Sequence, residues 1–254
     1  MSRLRLGFPF TDHLVLQRDR SNAVWGWDEP GQLVSLRVEG APGVPPVSAR
    51  ADATGAFRLR CPSLPAGGPH RLLLEGSETV AVEDVLVGEV WLASGQSNME
   101  YKLGSAADAD AEIAAAEHPA IRVLTVADRA AWEPLATGDG AWVPVSPGTA
   151  AELTAVGTFF ARELHRHLGV PVGIIDAAWG GTPIAAWLSV GAHRALEPGI
   201  DQELARLRAG LAELPALEAA YAAALQAWER GAFPRDPPNS AAERGWARPD
   251  LDDG

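Results

Sequence analysis

Val85-Leu-Val-Gly-Glu-Val-Trp-Leu-Ala93, followed at once by Ser94-Gly-Gln-Ser97-Asn-Met99, decides the fold. The first of these stretches is almost continuously apolar, interrupted only by Gly88 and Glu89. Such a run suits a strand covered on both faces rather than an alternating surface strand. Met99–Glu117, rich in Ala and Glu, then favours helix. The alternation repeats downstream. Ile121–Val126 reads as strand, Thr149–Leu168 as the best helix in the chain, and Val170–Ala177 as strand again. Thr149 and Glu152 have capping-box spacing. Leu153, Val156, Phe160, Leu164 and Leu168 form one apolar stripe, and Gly169 follows as a stop. Strand alternating with helix predicts a doubly wound, parallel α/β sheet.

Upstream the pattern is β. Short apolar runs at His13–Gln17, Ala23–Trp27, Leu33–Val38 and Arg71–Leu74 are separated by Gly, Pro and Asp clusters. Asp52-Ala-Thr-Gly55 reads as a hairpin turn leading into the alternating Ala56–Arg60. Residues 1–84 are therefore expected to form a small β-sandwich, and residues 85–231 the α/β domain. Within the latter, Asp201–Arg230 is Ala- and Leu-rich and mostly helical, with a break or kink expected at Pro215. Residues 232–254, rich in Pro, Arg and Asp and without period, read as a linker or loop tail.

The 254 residues suffice for one large domain or two small ones. A hydrophobic fraction of 47% and a charged fraction of 21% are those of a soluble globular chain. The net charge of −12 repels phosphates and anionic lipid, so neither nucleic acid nor a membrane surface is expected as a partner. The lone Cys61 forms no internal disulfide and excludes a Cys-rich zinc site. No run of about 18 apolar residues exists to span a membrane. No apolar run of signal-peptide length precedes Asp12, which leaves the cytoplasm as the default location.

Ser97 falls where the apolar strand ends and a helix begins, the edge of an α/β sheet at which ligands bind. Backbone N–H groups there can stabilise the oxyanion formed when a serine attacks an ester carbonyl. Gly95 permits the sharp turn. Met99 stands where the G-x-S-x-G elbow requires a second glycine, which sets the α/β-hydrolase family aside. The plainer role for Ser97 is a helix N-cap.

The wider pattern favours chemistry. Val87-Gly-Glu-Val-Trp-Leu-Ala-Ser-Gly-Gln-Ser-Asn-Met-Glu100 closely resembles the nucleophile block of the sialate O-acetylesterase family within the SGNH hydrolases. Asp12-His-Leu-Val-Leu-Gln-Arg18 with Val24-Trp-Gly-Trp27 resembles that family's N-terminal β-sandwich. Gly157-Thr-Phe-Phe-Ala-Arg-Glu-Leu164 resembles the helix following its second block, and Gly173–Trp187 its Gly-Gly-Thr block. The resemblance runs from about residue 8 to the C-terminus. It implies a serine esterase that removes acetyl groups from sialic acid or another acetylated glycan. Ser97 matches the nucleophile. Gln96, Asn98, Gly157, Gly180, Gly181 and Thr182 are the candidates for oxyanion or substrate contacts, the Gly157 amide as a second oxyanion donor. Gly180, Gly181 and Thr182 equally suit a plain strand-to-helix turn. Trp179 and Trp187 could stack on a sugar or simply pack. Ester cleavage needs no metal or organic cofactor.

The sequence also departs from the family. A serine hydroxyl needs an adjacent base, which the SGNH pattern supplies from a late Asp-x-x-His. None of His13, His70, His118, His165, His167 and His193 has an Asp three residues earlier. His165 and His167 face different ways on one helix and read as solvated or capping groups. The late Trp-x-Gln-Gly-Glu block is absent as well. The expectation is an N-terminal portion of a longer esterase, incomplete in its sheet, lacking a C-terminal half and weak or inactive alone. The competing expectation is a non-catalytic carbohydrate-binding remnant of such an esterase.

Overall fold

The computed structural model describes residues 3–131, 133–197 and 199–230. They divide into two compact units, residues 1–187 and 188–254.

In the first unit, β1 (Arg5–Leu6), β2 (Val15–Gln17), β3 (Asn22–Trp27), β4 (Leu33–Glu39), β5 (Val47–Arg50), β6 (Ala56–Cys61) and β7 (Gly67–Glu75) fill the first third of the chain. β8 (Thr79–Gly95) follows, then the one-turn α1 (Ser97–Glu100), α2 (Ala109–Ala114), β9 (His118–Thr125), β10 (Trp142–Val145), α3 (Ala155–Leu168) and β11 (Val172–Ala178). β1, β3 and β6 form a three-stranded antiparallel sheet. The other eight strands form one mixed sheet in the order β10-β9-β11-β8-β7-β4-β5, with β2 beside β8.

β8 joins the two halves of that sheet. Its first half pairs antiparallel with β7, as in Gly67↔Val87, and parallel with β2 up to Gln17↔Gly88. From Glu89 onward it pairs parallel with β11, Val172↔Glu89 through Ala178↔Gly95. The exchange of neighbours occurs at Gly88, where a Cβ would stand 1.9 Å from the Pro171 carbonyl oxygen. Absence of a side chain therefore lets that carbonyl come in and accept from the Glu89 N–H at 2.9 Å. The expected boundary at 84/85 falls inside this continuous strand.

The sheet differs from a doubly wound, parallel one. Parallel pairing is confined to β9, β11 and β8 and to the short β2 beside β8, while the remaining strands pair antiparallel. Helices α1, α2 and α3 cover one face of β9, β11 and β8, packing Met99, Ile113 and Ala161 against Ile121, Val123, Val172 and Ile174. The opposite face, with Leu124, Ile175 and Trp142, joins a β-rich core shared by both sheets, including Val24, Phe57 and Leu59 with Val34, Leu36, Leu72 and Leu74.

α3 starts later than its sequence predicts. Thr154, not Thr149, caps it, accepting from the Gly157 N–H, while Thr149 Oγ1 instead donates to the Pro144 carbonyl. The helix also presents a different face. Ala155, Thr158 and Ala161 are buried, whereas Val156, Phe160 and Leu168 are exposed. Small residues let the helix approach β11 closely: a Cβ on Gly157 would lie 3.2 Å from Ile174. Phe160 instead meets Trp91 edge to face, ring centroids 5.2 Å apart. Burial on both faces of β8 likewise holds only for its first part. Val85 and Val87 are fully enclosed, but Trp91 and Leu92 are 46% and 68% exposed. Beyond Gly88, β11 is the only strand paired with β8 among the described residues.

The predicted helix over Met99–Glu117 is broken. α1 ends at Glu100, a 3-10 turn spans Leu103–Ser105, and Asp108 adopts a left-handed φ of 55° before α2. In the second unit, α4 (Val190–Leu196) precedes α5 (Ile200–Arg230), which runs through Pro215 without a break. The predicted tail at 232–254 lies outside the described residues.

Candidate active site

Gly95 (φ +143°) ends β8 and turns the chain into α1. Gln96 caps this helix in extended conformation, its side-chain oxygen accepting from the Ser97 N–H at 3.3 Å. Ser97 is therefore the first helical residue, not the cap. Its hydroxyl is exposed and donates to the same Gln96 oxygen at 2.9 Å. With only one turn in α1, little macrodipole builds up. What remains available is the Asn98 amide, which precedes the turn's first helical hydrogen bond, whereas the Ser97 amide is engaged by Gln96.

The Gly-Gly-Thr block lies against this serine. The Trp179 N–H continues the ladder to the Gly95 carbonyl at 3.0 Å. The Gly180 N–H donates to Glu100 Oε2 at 2.6 Å. A Cβ on Gly180 would lie 2.6 Å from that carboxylate and in ordinary contact, 3.6 Å, with both Cα and Cβ of Ser97, so a side chain there would displace the Glu100 carboxylate. Gly181, at φ +75°, is open on its Cβ side. Thr182 Oγ1 donates to the Trp179 carbonyl at 2.7 Å and accepts from the Trp187 indole N–H at 2.9 Å. It thereby ties together two tryptophans that remain 37% and 40% exposed.

Ser97, Gln96, Gly180 and the Thr182-linked tryptophans thus share one strand-end surface. Asn98 is exposed in the turn of α1, with no partner for its side chain among the described residues. Gly157 is not part of the group. It is buried in the first turn of α3, and its amide serves the Thr154 hydroxyl at 3.2 Å rather than an oxyanion.

Two positioning residues escaped the sequence reading. Glu100 clamps the Gly-Gly turn onto α1. Thr154, fully buried, donates to the Met99 carbonyl at 2.6 Å while capping α3, which locks the nucleophile turn to that helix. Glu100 closes the quoted nucleophile block, and Thr154 stands at N-cap spacing from Gly157. Both signals were present, but each also fits an ordinary surface residue.

Among the described residues of this unit, no histidine faces Ser97. His13 pairs with Asp84 at 2.7 Å, and the same carboxylate oxygen accepts from Arg122 at 2.8 Å. That Asp–His pair lies far down β8, roughly 40 Å of extended chain from Ser97. His70 pairs in register with Val85, and His118 opens β9. His165 and His167 bond the Val170 and Glu163 carbonyls near the C-terminal end of α3. All five occupy the end of the sheet opposite Ser97; His193 belongs to the second unit. Cys61 is buried, and burial pushes its thiol up to about 11, which leaves it inert at neutral pH.

Asp176, on β11 in register with Ala93, is 2% exposed, and neither carboxylate oxygen has a hydrogen-bond partner among the described residues. Burial pushes its carboxyl above the ordinary range. Lys102 and the nearby Ala178 amide oppose the rise without prevailing, and Glu100 and Asp128 add to it. Such a group holds more protons folded than unfolded. Stability therefore falls as pH climbs from the ordinary 3.8 towards the raised value, at up to about 1.4 kcal/mol per pH unit. Asp176→Asn is expected to remove this slope and raise the melting temperature at neutral pH. Melting curves of both proteins from about pH 4 to 7 check it; a slope common to both would count against an orphaned buried acid.

A family model described as carbohydrate esterase, sialic acid-specific acetylesterase, matches residues 87–217. The sialate O-acetylesterase of Rattus norvegicus is 32% identical over 205 residues, covering 72% of this chain and 38% of its own length. That of Homo sapiens is 32% identical over 208 residues, covering 72% and 39%. A crystal structure of a novel carbohydrate acetylesterase from Xanthomonas citri matches with a TM-score of 0.70 and 41% identity, covering 73% of this chain and 42% of the other. The chain spans about two fifths of the length of these relatives. With the match extending over half its residues and centred on the Ser97 and Gly-Gly-Thr turns, the chain belongs to the sialic acid-specific acetylesterase family of carbohydrate esterases.

Proposed function

We propose that this chain carries the nucleophile side of an O-acetyl-glycan esterase, with Ser97 as the attacking group. In this reading Ser97 Oγ attacks the acetyl carbonyl carbon, the sugar leaves as its alcohol with the serine proton, and water then releases acetate from the acyl-serine. The observation that carries it is the exposed Ser97 hydroxyl at the carboxyl end of β8, with Gly180 packed against its Cα and Cβ. The Asn98 amide, and the Ser97 amide once Gln96 Oε1 releases it, are the candidate oxyanion donors. Trp179 and Trp187 offer apolar faces to the sugar. O-acetylated sialic acid or another acetylated glycan is the substrate class, and the chemistry requires no cofactor.

The reading includes an N-terminal β-sandwich over residues 1–84, supported by the core common to both sheets, and an SGNH-type α/β portion over 85–231. It also includes a base supplied from outside the described residues. Gln96 cannot serve, because its amide oxygen orients the hydroxyl but does not take up its proton at neutral pH. A positioned general base contributes roughly 10²–10⁴ in rate, so the chain alone is expected to hydrolyse p-nitrophenyl acetate weakly. A fluorophosphonate probe tests the nucleophile directly: labelling is expected at Ser97 and nowhere else, as read by peptide mapping. Complete inertness of Ser97, with binding of acetylated oligosaccharide retained, would favour the second reading, a carbohydrate-binding remnant. The lack of a histidine facing Ser97 among the described residues is what supports that alternative.

A further inference from the structure

We propose that a second cleft in the first unit binds a neutral pyranose unit of a glycan, beside Ser97 but distinct from it. The cleft encloses about 710 Å3, within the roughly 300–1,000 Å3 of small-ligand sites. Phe8, Trp25, Trp27 and Ile175 line it, with Arg129 and Asp139 from the segment between β9 and β10.

The aromatic wall is fixed before any ligand arrives. Trp25 and Trp27 alternate along β3 and so point to one face, while Val24 between the two sheets is fully buried. Trp27 is held from one side by the Arg5 guanidinium, 4.2 Å from the ring centroid. Trp25 packs edge-on against Phe10 at 4.6 Å. Gly138 packs directly on Phe8, where a Cβ would stand 2.9 Å from the ring. The side chains of Arg129 and Asp139 make no hydrogen bond or ion pair with any described residue. The cleft thus combines apolar ring surface with one unengaged donor fork and one unengaged acceptor.

Those are the complements of a pyranose, which has an apolar C–H face and a rim of hydroxyls that both give and accept hydrogen bonds. A lipid or apolar peptide would leave Arg129 and Asp139 unmatched. An acidic sugar would meet Arg129 but set its carboxylate near Asp139, in a chain of net charge −12. Neutral sugar is the better match. The location is suited to a glycan chain. The Val126 N–H donates to the Asp176 carbonyl at 2.8 Å, so the segment leaves the sheet at its carboxyl edge. β11 separates β9 from β8, which puts this edge about two strand spacings, roughly 10 Å, from the strand bearing Ser97. A glycan could rest one unit in the cleft and present a neighbouring acetylated unit to the serine.

The inference rests on the esterase reading only for that last step, and binding can be measured without hydrolysis. The test uses the full chain carrying Ser97→Ala, titrated calorimetrically with β-1,4-linked gluco-, xylo- and manno-oligosaccharides, and with free N-acetylneuraminic acid, which has no neutral unit, as the acidic control. At least one neutral oligosaccharide is expected to bind at millimolar or lower concentration. Trp27→Ala and Arg129→Ala should each weaken it about tenfold. The Arg129 side chain has no partner among the described residues, so its variant reports on the cleft even if Trp27→Ala fails to fold. No neutral binding, equal affinity in Arg129→Ala, or tighter binding of free N-acetylneuraminic acid would each overturn the proposal. Absence of fluorophosphonate labelling at Ser97 in the parent chain, with oligosaccharide binding intact, would sink the esterase reading and leave the cleft standing.

Discussion

Ser97→Ala is expected to abolish every increment of p-nitrophenyl acetate hydrolysis that the protein adds to solvent, including the part stimulated by free imidazole. The hydroxyl is exposed, and no histidine of the first unit lies near it. A small base from solution can therefore reach the proton that a positioned histidine would take. Imidazole should raise the Ser97-dependent rate by about tenfold, a fraction of the 10²–10⁴ that a fixed general base supplies. Imidazole also cleaves the ester by itself, so the meaningful quantity is the difference between the protein and its Ser97→Ala variant across an imidazole series. Fluorophosphonate labelling should fall from one group per chain to none. If the two proteins hydrolyse the ester at the same rate at every imidazole concentration, and label alike, Ser97 is no nucleophile.

Gly88→Ala should damage the fold more than any other single methyl added to the central sheet. The new Cβ would sit 1.9 Å from the Pro171 oxygen and 2.5 Å from its carbonyl carbon. Both are backbone atoms, so no rotamer change relieves the clash. β11 would have to move away from β8 just where their ladder begins, at Val172↔Glu89. A loss of about 3 kcal/mol or more is expected. Chemical denaturation checks it, with Gly210→Ala in α5 as the control. Nothing lies within 4 Å of that position, and alanine there should stabilise the helix by about 0.5–1 kcal/mol. Equal stabilities for Gly88→Ala and the parent would mean that the Pro171 carbonyl does not approach as described.

The parts of this molecule governed by local chemistry were legible in its sequence. Asp52–Gly55 is the turn expected: Asp52 Oδ1 accepts from the Thr54 and Ala56 amides, and Gly55 supplies φ +84°. The strands at 22–27, 33–39, 118–125 and 172–178 fall where apolar runs between turn residues indicated. β5 and β10 were missed because each is only four residues long, with Pro beside or within it. What tertiary contact decides was not legible. α3 turns Ala155, Thr158 and Ala161 inward, against the larger stripe of Val156 and Phe160, because close approach to β11 favours small side chains there. In the same way, the turn around Ser97 could be read from one contiguous block. Its clamp joins Glu100, the last residue of that block, to Gly180, and nothing in either local stretch names the other partner.

Because one uninterrupted strand belongs both to the antiparallel β7 pairing and to the parallel β11 pairing, the molecule contains a ruler. From Gly88 to Ser97 runs about 30 Å of extended backbone. Its zero mark is pinned by the Arg18 amide on the Gly88 carbonyl and by Gln17 Oε1 accepting from the Val90 amide. A slip of one residue against either neighbour would invert every side chain along it. The reach of the nucleophile is therefore set from the far end of the strand, and loosening β2 should blur the position of Ser97 without touching any group that meets the substrate.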